Sequence, residues 1–143
     1  MTGQPRQRGS ITLWLLGLGI CLLVVGGMGL DMWSVVAMRA RLVGVAEAIA
    51  TGAASGISEA HWRDTGEIRL DPVRAKQLGR DLAFRHPGVS LLDRPPEILV
   101  DSAFRSVTVQ VSGSVPLTLL ALGVNSGRIE ITASATSRPH VFG

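Results

Sequence analysis

The sequence predicts an α+β protein mounted on a membrane helix, and three observations carry that prediction. Residues 11–30 (ITLWLLGLGICLLVVGGMGL) contain no charged side chain. Downstream, Val35, Met38, Leu42, Val45, Ile49 and Ala53 recur at steps of three and four, the spacing of one helical face. Nearer the C-terminus, two segments alternate apolar and polar residues, as strands with one buried face do. The expected order is a single transmembrane helix, an amphipathic stalk helix that continues it, and a small domain of one short helix and an antiparallel sheet.

At about 1.5 Å per residue, the uncharged run covers a hydrocarbon core of about 30 Å as one helix. Arg6 and Arg8 precede it and Asp31 closes it, so groups that resist lipid mark both ends. Trp14 and Trp33 lie near the two ends, where aromatic rings favour the interfaces. Basic residues are retained in the cytoplasm, which places Arg6 and Arg8 inside, although Arg39 and Arg41 follow on the other side. A cleaved secretory signal is the alternative. Such signals have an apolar stretch of about 7–15 residues and an A-x-A-like cut site. This run is longer, and Gly29-Leu30-Asp31-Met32-Trp33 offers no such site. Cys21 follows the bulky Ile20, where a lipidated cysteine normally has a small neighbour, so it reads as a small apolar helix residue. The expected organisation is a cytoplasmic basic tail (1–10), a membrane span (11–30), a stalk (31–56) and an extracytoplasmic α+β domain (57–143).

From Asp31 to Ala54 there is no proline, and glycine occurs only at Gly44 and Gly52, so the helix should run on for about six more turns. Arg41 and Glu47 fall off the apolar stripe. Two uses of the stripe stand open: packing against the chain's own domain, or a seam for another helical subunit. Residues 52–66 read as looser chain, with Ser55, Gly56 and Ser58 ahead of His61-Trp62-Arg63-Asp64. Asp71-Pro72 reads as an N-cap followed by proline at the first helical position. That helix should cover 72–85, turning Ala75, Leu78 and Leu82 inward and stopping at Pro87-Gly88, with Gly79 against its propensity.

Arg94-Pro95-Pro96 is a connector to three expected strands, over 97–100, 105–111 and 128–136. In the second, Val107, Val109 and Val111 alternate with Ser106, Thr108 and Gln110. In the third, Ile129, Ile131, Ala133 and Ala135 alternate with polar partners. Residues 116–122 (PLTLLAL) are too continuously apolar to assign by period, and fit a short buried helix or a strand ahead of Gly123 and an Asn125-Ser126-Gly127 turn.

Composition argues against several classes of function. The 143 residues leave enough chain for one small domain after the tail and span. The net charge is +3, but from Asp31 onward twelve basic residues face eleven acidic ones. No basic cluster accompanies stacking aromatics, and tyrosine is absent, so no nucleic-acid partner is expected. Cys21 is the only cysteine, which leaves the domain without internal disulfides. His61, His86 and His140 lie far apart, at no metal-ligand spacing. Asp64, Asp71 and Asp81 read as loop, cap and solvated helix positions, and neither Ser10 nor Ser34 has a histidine nearby. The expectation is a non-enzymatic protein with no cofactor, no metal and no small-molecule substrate.

One ordered set of residues adds to this reading. Arg8-Gly9-Ser10, the apolar span, Asp31, the basic Arg39 and Arg41 before Leu42, and then Ala46-Glu47-Ala48-Ile49-Ala50 follow one another along about a third of the chain. Together they resemble the N-terminal region of TadE/TadG-like proteins of Flp (tight adherence) pilus systems. In that family an R-G pair precedes the span, and a basic residue and leucine lead into an A-D-A-A-A-L-A-G-A-like stretch. Here Ala46 matches the first alanine, Glu47 takes the aspartate place, and Ala48 and Ala50 match small positions.

The resemblance implies a pilin-like α+β fold and a minor pilin-like or tethering role in pilus or secretion-system assembly. It also implies contact with membrane lipid and with related single-pass or pilus-assembly subunits. Two departures refine this. Members cut by a prepilin peptidase carry glutamate five residues after the cleaved glycine, and counting from Gly9 that place holds Trp14. The implied relatives are therefore the uncut, TadG-like ones. Larger TadG-like proteins carry a D-x-S-x-S metal motif, which Asp101-Ser102-Ala103-Phe104-Arg105 fails at Ala103, so no metal-dependent adhesion site is expected. The alternative function is a membrane-anchored extracytoplasmic binding or sensor module unrelated to pili, with Trp62 and Phe104 lining a small pocket.

Overall fold

Nothing in the first part of the chain breaks a helix, and none is broken. In the computed structural model, which describes residues 8–117 and 127–139, helix α1 (Arg8–Ala54) runs uninterrupted for 47 residues. At the standard rise that is about 70 Å.

A short helix, α2 (Glu59–Thr65), then occupies chain expected to be loose. The Ser58 side chain accepts the His61 N–H at its start, and Gly66 ends it in the left-handed conformation (φ 71°), which glycine adopts without steric cost. Helix α3 (Pro72–Arg85) has the expected limits. Asp71 Oδ1 accepts the N–H groups of Val73 and Arg74 at 2.9 and 3.2 Å, and Pro72 fills the first turn.

The inward face of α3 differs from the expected one. Ala75, Gly79 and Ala83 are buried, whereas Leu78 is half-buried and Leu82 is 39% exposed. Close approach to α1 is the reason. A Cβ on Gly79 would stand 2.6 Å from Ile98 Cδ1 and 3.3 Å from Ala53 Cβ. Only small side chains fit along that contact, so the leucines move to its flanks.

A 3-10 turn (Pro87–Leu91) follows, with His86 Nδ1 accepting the Gly88 N–H at 3.0 Å. The sheet has the order β1 (Glu97–Val100), β2 (Val107–Pro116), β3 (Arg128–Ser137), both pairings antiparallel. β2 starts later than expected because residues 101–106 form a tight turn. In it the Phe104 N–H donates to the Asp101 carbonyl and the Asp101 N–H to the Ser106 carbonyl. β2 also runs on past Val111, since Ser112-Gly113-Ser114 hides a strand that keeps its register: Val111 opposite Ala133, Gly113 opposite Ile131, Val115 opposite Ile129. Pro116 ends β2 and Leu117 is buried; the rest of the apolar 116–122 run, with Gly123, Asn125 and Ser126, lies outside the described residues.

The alternation seen in sequence sorts the two sheet faces. Val107, Val109, Val111, Val115, Ile131 and Ala133 are buried on one. Thr108 and Thr136 share a 2.9 Å hydroxyl contact on the other. α1 packs on β2 and β3, while α3 packs on α1 and β1. The largest fully buried side chains are Leu42 and Ile49 of α1 and Val107 and Val109 of β2. Burying each is worth about 1.5–3 kcal/mol. The core therefore sits between the second half of α1 and the sheet.

Candidate functional site

The functional feature is α1 itself, because its two halves meet different surroundings. Over residues 11–30 every large apolar side chain is exposed, from Leu18 and Met28 at 43% to Leu23 at 76%. Added Cβ atoms at Gly17, Gly19, Gly26 and Gly29 would touch nothing within 4 Å. This half is apolar on all sides, and among the described residues its large side chains pack into no core. α1 is long and apolar enough to cross a membrane, and it lies near the N-terminus. Cys21 is exposed on it. Arg8 and Gly9, two positions of the resemblance, form the first turn.

The change of surroundings comes at Asp31, which is buried to 5% exposure. Sequence reasoning treats this aspartate as the polar stop of the span. Yet it lies one turn before Val35 on the same helical face, and so it heads the apolar stripe. A carboxylate at that place is turned to the domain side of the helix, away from the lipid-length surface. The spacing from residue 31 to residue 35 was there to be read, and an all-apolar definition of the stripe conceals it.

The stripe goes to the chain's own core. Leu42, Ile49 and Ala53 are fully buried, Val45 is buried, and Val35 and Met38 pack against the same cluster. Of the two uses left open by the sequence, the structure realises packing against the chain's own sheet and α3. Val35 and Met38, at the start of the stripe, are only partly buried. The expected stalk is the central helix of the domain rather than a separate rod.

The Ala46-Glu47-Ala48-Ile49-Ala50 run divides by direction. Ala46, Ile49 and Ala50 are buried, while Glu47 and Ala48 face outward. Ala46, Ala50 and Ala54, at steps of four, form a second buried row beside the stripe. Alanine belongs there because a sheet and a helix both approach α1 closely. The outward face of the same half carries Trp33, Val36, Arg39, Ala40, Arg41, Gly44, Glu47 and Ala48.

The remaining sequence candidates do not converge. Trp62 lines a hollow of about 280 Å³ with Ile57, Glu59, Ile68 and Arg74, whereas Phe104 borders a separate one of about 240 Å³ beside His61 and Leu70. They share no pocket. Glu59 takes both Arg63 and Arg74 as ion-pair partners, at 3.4 and 3.3 Å, which fastens α2 to α3. Asp101-Ser102-Ala103 belongs to the turn before β2, where Phe104 takes φ 54° and offers its carbonyl to the Leu70 N–H. Among the described residues no group of three His, Cys, Asp or Glu side chains is placed to hold a metal ion.

No protein-family model, curated protein or solved structure matches this chain.

Proposed function

We propose that this protein is a non-enzymatic, single-pass membrane component of a pilus or secretion-type assembly, TadE/TadG-like, acting as a minor pilin-like subunit or a tether. The observation that carries the reading is one unbroken helix whose first half is bare and apolar and whose second half is the spine of an α+β domain. That construction suits a subunit held in a bilayer and delivered upright to neighbours of the same kind. The ordered residues from Arg8 to Ala50 point the same way. On this reading the basic tail is cytoplasmic and the domain extracytoplasmic, following the positive residues ahead of the span.

Contact with another subunit then falls on surfaces the domain leaves open: the bare half of α1 and the outward face at Val36, Ala40 and Gly44. The buried stripe supplies the internal control. A photo-crosslinking residue at Val36 or Ala40, in the native membrane, is expected to capture other single-pass subunits, and one at Leu42 only the chain itself. Recovery of the monomer alone from every outward position would sink the assembly role. Intact mass and N-terminal sequencing divide the two variants: the full chain favours a tether, and a new terminus at Ser10 a processed filament subunit.

A further inference from the structure

The assembly reading leaves one surface unused, at the edge of β1. A hollow of about 580 Å³ opens between the last turns of α3 and the connector before β1, walled by Phe84, Val89, Leu92, Pro95 and Pro96. A second, of about 380 Å³, shares Arg80, Pro95 and Pro96 with it and continues along β1 to Leu99. Phe84 is 77% exposed and Leu99 45%. The groove is thus apolar along its floor and open to solvent.

The backbone beside it supplies an independent observation. β1 is an edge strand, paired with β2 on one side. Among the described residues, Glu97–Val100 makes no backbone hydrogen bond beyond that pairing. Such a row of N–H and C=O groups recognises one chemistry above all, another extended backbone. Charge narrows the partner further. Lys76 and Arg80 line the α3 wall and form no ion pair among the described residues. Of the other charged lining groups, Arg94 is paired with Glu130, and the carboxylates of Asp93, which accepts the Ser114 hydroxyl, and Glu97 lie on the connector and β1, so the unpaired cations are those of the α3 wall.

We propose that this edge and groove bind an extended segment of a partner protein, laid beside β1 as an added strand. An apolar side chain of that segment fills the hollow beside Phe84, and acidic residues face Lys76 and Arg80. The proposal is independent of the assembly role and holds for any anchored form of the domain.

The test uses the full chain in lipid nanodiscs, panned against displayed random peptides about eight residues long, a typical strand length. Enriched sequences are expected to alternate apolar residues with Asp or Glu. Methylating alternate backbone amides of one such peptide, labelled for anisotropy, is expected to weaken binding about tenfold in one phase and little in the other, because a strand pairs along one edge at a time. Phe84→Ala and Arg80→Glu, both at exposed positions, should each weaken it about fivefold or more with the circular dichroism unchanged. No enrichment over empty nanodiscs overturns the proposal, as does binding indifferent to both substitutions or to the phase of methylation. A concentration-dependent dimer abolished by Phe84→Ala also overturns it, and assigns the groove to a second copy of this chain.

Discussion

The two halves of α1 have the same backbone and much the same apolar vocabulary, yet one is bare and the other lies in the core of the domain. Leu23 is 76% exposed and Leu42 is fully buried, nineteen positions further along one unbroken helix. The angular distribution of polar residues accounts for the difference, and total apolarity does not. Residues 11–30 are apolar all round and present no preferred face to a sheet. From residue 31 onward Arg39, Arg41, Glu47 and Thr51 claim the outward side, which leaves a defined strip to pack. A helix is recruited into a core by the contrast between its faces.

Paired substitutions break or sharpen this comparison. The largest effect is expected from Leu42→Ala or Ile49→Ala, each costing about 2–5 kcal/mol of domain stability through lost burial and a residual cavity. Leu23→Ala, the same chemistry in the bare half, should leave the unfolding midpoint where it is. Denaturant unfolding of the full chain in detergent, followed by circular dichroism, measures both. An equal loss from Leu23→Ala would show that the bare half belongs to the folding unit and dissolve the contrast.

Glycine provides the second pair. A Cβ at Gly113 would come within 2.4 Å of the Leu91 carbonyl oxygen, a backbone atom that cannot step aside. Gly113→Ala is expected to cost about 1–3 kcal/mol by overpacking. Gly44, on the outward side of α1, faces open space. Gly44→Ala should gain up to about 1 kcal/mol from helix propensity. Melting temperatures moving in opposite directions would support the assignment of faces, and a loss at Gly44 would place a neighbour there.

Smaller effects extend the contrast to α3, which is short and depends on its ends. Asp71→Ala removes the acceptor for two N–H groups and should cost about 1 kcal/mol. Glu59→Gln removes both exposed ion pairs and should cost well under about 1 kcal/mol, less again in high salt. Urea midpoints at two salt concentrations separate the two cases: the cap loss persists in salt, and the ion-pair loss fades.

Elements governed by local chemistry were legible in the sequence. The unbroken α1, the Asp71-Pro72 start of α3 and the limits of β1 follow from propensity, capping and alternation within a few residues. Features decided by distant neighbours were not. Ala75, Gly79 and Ala83 face inward because α1 lies close, and nothing local to α3 states that distance. The seven residues of α2 are too few to show a period, although Ser58 and Gly66 bracket them with recognisable caps. Gly113 interrupts the alternation of β2 for the sake of Leu91, twenty-two residues upstream. The candidate site was more legible: the apolar run was plain, and the four-residue step from Asp31 to Val35 sets Asp31 on the buried stripe, which an all-apolar definition of the stripe conceals.

The continuity of α1 also has a mechanical meaning. A helix that passes from the bare half into the core without a joint allows no swivel between anchor and domain. Membrane helices tilt by about 20° on average, more in thin bilayers and less in thick ones. Through a lever of about 35 Å, the length of the buried half, such a tilt carries the far end of the domain sideways by about 12 Å. In the membrane-anchored form proposed above, bilayer thickness becomes a setting for where α2 and the turn before β2 stand above the surface, and for which neighbours they reach.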